Sequence, residues 1–289
     1  MQRNQFKREA GRNRRSLRYV RLLVSALAFA IFLIVPSPAL FGQDDPSVPD
    51  PAAAAPASLQ IIPSSAAQRD VSPRLLPANF LRDQKNMWFF PGQLAKGRHW
   101  SPVVTVTAAT IALFSTDPYV EPYFHHTKAF RQFDRAFNSK VTGQETIAIP
   151  TALYLVGLST HDSYMQKTAL FAGEAVLDSE MVRMAMNTLT ARWRPEDVAR
   201  QQTYGHTFFR NKVHVGSSFP SGHTIVAVSV ATVIARRYRS HRWVPWVAYG
   251  LAGTIGFSRM SLRTHFPSDV FLATVLGYAI ARYDVLQDY

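Results

Sequence analysis

The sequence predicts an all-α domain, a bundle of about six helices with its active site at helix N-termini and inter-helix loops. Three observations carry this. Six stretches are apolar at helical spacing or nearly all round. No stretch alternates convincingly with the period of two that marks a half-buried strand. Two of the six helices open on the same Phe-Pro-Ser triplet, at 219–221 and 266–268. Proline suits a first helical turn, where its missing N–H is no loss.

The elements follow in order. Residues 1–42 carry eight Lys/Arg against one acid, Glu9, and lead into the apolar run 22–35. A basic region before an apolar run of this length reads as a signal peptide or a membrane anchor. Arg14-Arg15 is a twin arginine and points to export of the folded protein. Residues 43–74 are rich in Pro, Ala and Ser and read as a linker. The helical domain is expected over 75–289.

Its six helices are expected at 103–115, 146–158, 166–190, 221–237, 244–258 and 268–283. Their apolar cores run about 13–16 residues, roughly 20–24 Å, against the ~30 Å of a bilayer core. The third also holds Glu174, Asp178, Glu180 and Arg183, which are costly in lipid. If the linker is exported and all six helices span, the basic loop 235–242 falls outside the membrane, against the positive-inside rule. A soluble or surface-bound bundle in the cell envelope, beyond the membrane, removes that conflict.

The net charge of +13 across 289 residues does not indicate a nucleic-acid partner. Half of the excess precedes the apolar run, rather than interleaving with aromatics on a folded face. The chain has no cysteine, which excludes disulfides, thiolate metal sites and a thiol nucleophile.

Three short stretches carry the chemistry. In Pro220-Ser221-Gly222-His223, the N–H groups of a helix start face outward and the dipole favours an anion. Gly222 allows close approach to the backbone, Ser221 adds a hydroxyl, and His223 can carry a proton near neutral pH. In the stretch 258–269, His265 precedes a helix start that holds Asp269. The carboxylate is expected to accept the ring N–H, leaving the other ring nitrogen as a nucleophile. Arg259 ends the preceding helix. In the stretch 191–197, Arg194 stands before Pro195, and a guanidinium fork suits phosphate oxygens.

These three pieces, in this order, resemble the type-2 phosphatidic acid phosphatase and vanadium haloperoxidase superfamily. Its pattern is Lys-x6-Arg-Pro, then Pro-Ser-Gly-His, then Ser-Arg-x5-His-x3-Asp. The second and third pieces are complete, the latter as Ser258-Arg259, His265 and Asp269. The first has Arg194-Pro195 but Asn187 at the lysine position. The match spans roughly 180–285.

The resemblance implies a metal-free phosphatase of phosphomonoesters, with lipid phosphates such as phosphatidate the expected class and a membrane surface as partner. By it, His265 attacks phosphorus, Asp269 orients His265, and His223 protonates the leaving oxygen. Arg194, Arg259, Ser221 and Gly222 hold the phosphoryl oxygens. Asn187 brings no charge, so Arg183, four residues earlier on the same helix face, or Lys212 is expected to supply the cation. No cofactor is implied, except vanadate under the alternative of a haloperoxidase. A non-catalytic phosphate or headgroup binder is the third reading.

Other features read as structure. Glu174 and Asp178 share a helix face, solvated or paired. The stretch 86–90, Asn-Met-Trp-Phe-Phe, reads as core or a membrane-contact edge.

Overall fold

The structure, a computed structural model, describes residues 69–201, 206–210 and 217–287. The leader and most of the linker therefore lie outside the described residues. Those described form nine α-helices and a π-helical turn, without a strand. The helices are α1 (Leu76–Ala95), α2 (Trp100–His126), α3 (Arg131–Ala136), α4 (Ser139–Ser159) and α5 (Ser163–Thr190). They continue with α6 (Pro195–Gln201), α7 (Gly222–Arg237), α8 (Trp243–Ser261) and α9 (Pro267–Ala279), and the π turn is Ile280–Val285. The six expected helices correspond to α2, α4, α5, α7, α8 and α9.

Helix α7 is the centre of the bundle. Ile225, Val226, Val230 and Val233 pack with Phe171, Ala172 and Ala175 of α5, Ala273 of α9, and Ile280, Val285 and Leu286 beyond it. Val71 joins this core, so packing begins ahead of α1. The crossing of α7 and α9 depends on Gly277, since a Cβ there would stand 2.4 Å from the Ile225 carbonyl oxygen. A second cluster joins Val120 and Phe124 of α2 to Met260 of α8 and Val270 of α9. Together these contacts bring the start of α7, the end of α8 and the start of α9 into one neighbourhood.

Local chemistry sets the helix ends. Asp162 caps α5 by accepting from the Tyr164 and Met165 amides at 2.9 and 3.0 Å. Its far end stops at Ala191, whose φ of 40° is left-handed. Helix α2 is much longer than the 103–115 expected, because it carries through Pro118 and Pro122. Each proline removes one N–H bond, and the carboxylates before them are anchored across the bundle. Asp117 meets Arg192 at 2.6 Å and Glu121 meets Arg263 at 3.0 Å.

The α1–α5 contact is polar and buried. Glu174 and Asp178 are fully buried, not on a solvated face. Asn79 donates to Glu174 and Gln84 to Asp178, both at 2.8 Å. Arg69 stands 2.7 Å from Asp83 and 3.2 Å from Glu174. Burial pushes the Asp178 carboxyl up to about 7, helped by the charges of Asp83, Glu174 and Asp284.

Among the described residues, α2 is the helix long and apolar enough to cross a membrane. Its 27 residues span about 40 Å, which corrects the short apolar segment expected there. Only 17% of its most apolar window is buried, so most of that surface does not serve the core. Val104 and Ile111 on α2, Trp243, Trp246 and Leu251 on α8, and Trp88 and Phe89 on α1 are all exposed. The aromatic stretch 86–90 is thus mainly an exposed edge rather than core.

Candidate active site

The loop before α7 is tied to the segment after α5. The Ser218 amide donates to the Arg192 carbonyl at 2.9 Å. The Ser218 hydroxyl donates to the Trp193 carbonyl at 2.9 Å, and the Arg192 amide donates to the Ser217 hydroxyl at 3.0 Å. The Phe219–Pro220 bond is cis. These bonds set the end of α5 beside the start of α7, and Arg194 follows Trp193 directly. The Arg194 carbonyl accepts from Asp197 and Val198 and so opens α6.

At the start of α7, Ser221 is the N-cap residue and is fully buried. Its amide donates to the Asp269 carbonyl at 3.3 Å, and its hydroxyl shares a 2.9 Å bond with Thr224. Ser221 thus links α7 to α9. The first-turn amides of Gly222 and His223 are the helix-start donors best placed for an anion, because a helix provides no acceptor for them. A Cβ at Gly222 would stand 2.7 Å from Cδ of Arg183, so the arginine stem runs directly across this helix start.

Arg183 is held there at both ends. Its Nε and Nη2 donate to Oε2 of Glu180 at 2.9 and 2.7 Å. With the Asn187 amide oriented to satisfy both its ends, Oδ1 accepts from Arg183 Nη1 at 2.7 Å and Nδ2 donates to the Phe219 carbonyl at 2.5 Å. Asn187 therefore bridges Arg183 to the loop before α7. Lys212, the other cation considered, lies outside the described residues.

His265 occupies the turn between α8 and α9 and is buried. Its Nδ1 lies 2.7 Å from the Ser218 carbonyl oxygen. A carbonyl can only accept, so Nδ1 carries the proton and the neutral ring leaves Nε2 with its lone pair. Asp269 does not take this bond as expected, because its Oδ2 is 3.8 Å from Nδ1. That oxygen accepts instead from the Phe266 amide at 2.8 Å, the third residue of a helix reaching back to the N-cap. Its Oδ1 accepts from Arg192 at 2.5 Å.

Arg259 is fully buried at the end of α8. Its carbonyl accepts from the His265 amide at 3.2 Å, which joins the two residues through the backbone. Its guanidinium donates to the Ser258 hydroxyl at 3.0 and 2.8 Å and to the Phe137 carbonyl. Burial lowers its pKa to about 10, against the opposing charge of Asp134, and it remains a cation at neutral pH.

The structure thus brings His265, Asp269 and Ser221 together, and separately joins Arg183, Asn187 and Gly222 around the same loop, residues 217–221. Sequence reasoning missed Arg192 and Asp117. The signal was present: Arg192 lies two residues before Arg194, and Asp117 is a lone carboxylate in the apolar run 101–120, where ionisable groups need a partner.

Residues 168–287, from α5 through the π turn, match the family model of the PAP2 superfamily. The chain therefore carries a PAP2 superfamily domain. It is also similar to the crystal structure of a transmembrane PAP2-type phosphatidylglycerolphosphate phosphatase from Bacillus subtilis. That comparison has 17% identity and a TM-score of 0.38, covering 63% of this chain and 92% of the other. No curated protein matches the chain.

Proposed function

We propose that the domain is a metal-independent phosphatase that hydrolyses phosphomonoesters through a phosphohistidine. The observation that carries this is the 2.7 Å contact between His265 Nδ1 and the Ser218 carbonyl. It orients the ring and leaves the Nε2 lone pair for attack. In the first step Nε2 bonds to phosphorus and the ester P–O bond breaks. His223 passes its proton to the departing oxygen. In the second step His223 takes a proton from water, the water oxygen bonds to phosphorus, the P–N bond breaks, and inorganic phosphate leaves.

Charge stabilisation accounts for most of the rest, as is usual for phosphoryl transfer. Arg194, Arg259, Arg183 and the first-turn amides of α7 hold the phosphoryl oxygens. Arg183 supplies the charge that Asn187 lacks, and Asn187 positions it. Asp269 stabilises the positive charge that develops on the His265 ring. The substrate class we favour is a lipid phosphate, and the domain works in the cell envelope, held at a membrane. The long, largely unburied apolar helix α2 and the exposed tryptophans of α8 support that setting.

The test is phosphate release from p-nitrophenyl phosphate and from phosphatidate in mixed micelles. The native chain should release phosphate, whereas His265→Ala should release none and form no acid-labile phosphoenzyme. Near-native turnover in that variant overturns the mechanism. No phosphate release by the native chain with either substrate overturns the catalytic reading.

A further inference from the structure

Arg192 has no part in the chemistry proposed above, yet it is among the largest fully buried side chains. Its guanidinium lies 4.1 Å from the Phe266 ring centroid and 4.6 Å from that of Phe208. Every nitrogen has a polar contact. Nη1 donates to Asp269 Oδ1 at 2.5 Å and to the Ser268 hydroxyl at 2.8 Å. Nη2 donates to Asp117 Oδ2 at 2.6 Å, and Nε donates to the Thr207 hydroxyl at 3.1 Å. Asp117 in turn accepts from the Ser268 hydroxyl at 2.5 Å and from the Ser268 amide at 3.3 Å. One cation thus bridges two buried carboxylates, and one of these belongs to the first turn of α9, four residues after His265.

Stability alone gives little reason for such a cluster. A buried ion pair is often no better than well-packed apolar residues of similar volume. A cluster like this is better suited to fixing a geometry. Without Arg192, the Asp269 carboxylate would be free to rotate toward His265 Nδ1 and compete with the Ser218 carbonyl for its proton. With Arg192 in place, Oδ1 is held away and Oδ2 stays on the Phe266 amide, 3.8 Å from the ring. At that distance the carboxylate acts on the imidazole through its field rather than through a hydrogen bond.

We infer that Arg192 and Asp117 are positioning residues for the His265–Asp269 pair, and that their charges set how readily His265 takes up a proton. Burial pushes the Asp117 carboxyl up to about 6 against the charge of Arg192, so at neutral pH and above the three buried groups Asp117, Arg192 and Asp269 sum to one negative charge. Removing Asp117 makes the sum zero and should disfavour protonated His265. Removing Arg192 takes the cation from Asp269, the carboxylate nearer His265, and leaves Asp117 to take up a proton; the uncompensated Asp269 should favour protonated His265. The two changes therefore act in opposite directions. Other charged or titratable groups on the surrounding elements are Arg259 at the end of α8, Arg263 in the same turn as His265 with its partner Glu121 on α2, Asp134 on α3, which accepts from Ser261, His206 and Arg210, which line the cavity beside Arg192 and Asp117, His223 on α7 and Arg194 after α5. All of them are retained in both variants. The inference rests on His265 as nucleophile.

The experiment measures Asp117→Asn, Arg192→Gln and Arg192→Lys in the full chain. One readout is the pH dependence of kcat/KM with p-nitrophenyl phosphate. The other is an NMR titration of the His265 ring, which does not require turnover. Asp117→Asn should lower the His265 pKa and move the acidic limb of kcat/KM to lower pH. Arg192→Gln should raise both, each by about 0.5 unit or more for a charge change a few ångströms behind the pair. Arg192→Lys keeps the charge without the fork. It should leave the limb near its native position while kcat falls and KM stays nearly constant.

If Arg192→Gln does not fold, as circular dichroism would show, Asp117→Asn alone decides the sign. Shifts in the same direction, or activity lost with an unmoved His265 titration, would overturn the inference. Full activity in His265→Ala would instead overturn the functional reading on which it stands.

Discussion

Replacing Arg183 by alanine tests how this chain compensates for the uncharged Asn187. The arginine stem crosses the start of α7, with Cδ 2.7 Å from where a Cβ on Gly222 would lie. Its side chain is 25% exposed, and Glu180 holds two of its nitrogens. A hydrogen bond to a charged group contributes about 1.5–3 kcal/mol. Partial exposure and the Glu180 counter-charge reduce that figure, and we take about 1–2 kcal/mol. Vanadate should therefore bind Arg183→Ala about 5- to 30-fold more weakly, at about 1.4 kcal/mol per factor of ten. The assay is a vanadate inhibition titration of the native chain, Arg183→Ala, Asn187→Lys and the double variant. A lysine at 187 restores a cation beside the Phe219 carbonyl, so the double variant should recover part of the loss. Glu180→Gln should tighten vanadate by a few-fold, since it releases Arg183 from its counter-ion. Additive effects without rescue, together with an unchanged Glu180→Gln, would refute the argument that Arg183 replaces the lysine charge.

Three further outcomes are expected. Gly277→Ala should lower Tm and cost about 1–3 kcal/mol, because its Cβ would meet backbone, the Ile225 carbonyl, at 2.4 Å; an unchanged melting curve would contradict the α7–α9 crossing. Asp178 has a folded-state pKa raised to about 7 by burial, so the folded state binds its proton more tightly than the unfolded chain does. Its contribution is therefore present at low pH and is lost as pH rises from about 4 through 7. Asp178→Asn should flatten that decline and gain about 1–3 kcal/mol at pH 8, read by denaturant melts at pH 5 and pH 8. Finally, EDTA should leave phosphate release unchanged while vanadate inhibits it, because the Asp269 carboxylate is already taken by Arg192 and the Phe266 amide; a strict divalent-metal requirement would count against the proposed mechanism.

Much of this protein was legible in its residue order. Apolar residues at helical spacing predict helices because one face must leave water, and that reasoning located all six helices it named. Pro-Ser-Gly-His and Ser-Arg-x5-His-x3-Asp are local patterns, so Pro267 in the first turn of α9 and Asp269 as its third residue could be read from spacing alone, whereas Pro220 lies just ahead of the Ser221 N-cap and not in the first turn expected for it. The resemblance built on them matches the PAP2 superfamily domain over residues 168–287. Arg183 as the neighbour of Asn187 was also readable, since four residues make one helical turn.

What spacing could not supply were partners brought together by the chain's return. His265 donates a hydrogen bond from Nδ1 to the Ser218 carbonyl, 47 residues away in sequence, and Asp269 accepts from Arg192, 77 away. The local pattern favoured an Asp269–His265 bond because the two lie one helical turn apart. The folded chain decided otherwise, since a buried carboxylate beside a guanidinium fork gains more from that charge than from an imidazole N–H. The same holds for Asp117. In the sequence it is an interruption in an apolar run, and only the return of the segment after α5 to α2 supplies the cation, Arg192, that makes its burial tolerable, with Ser268 of α9 donating as well.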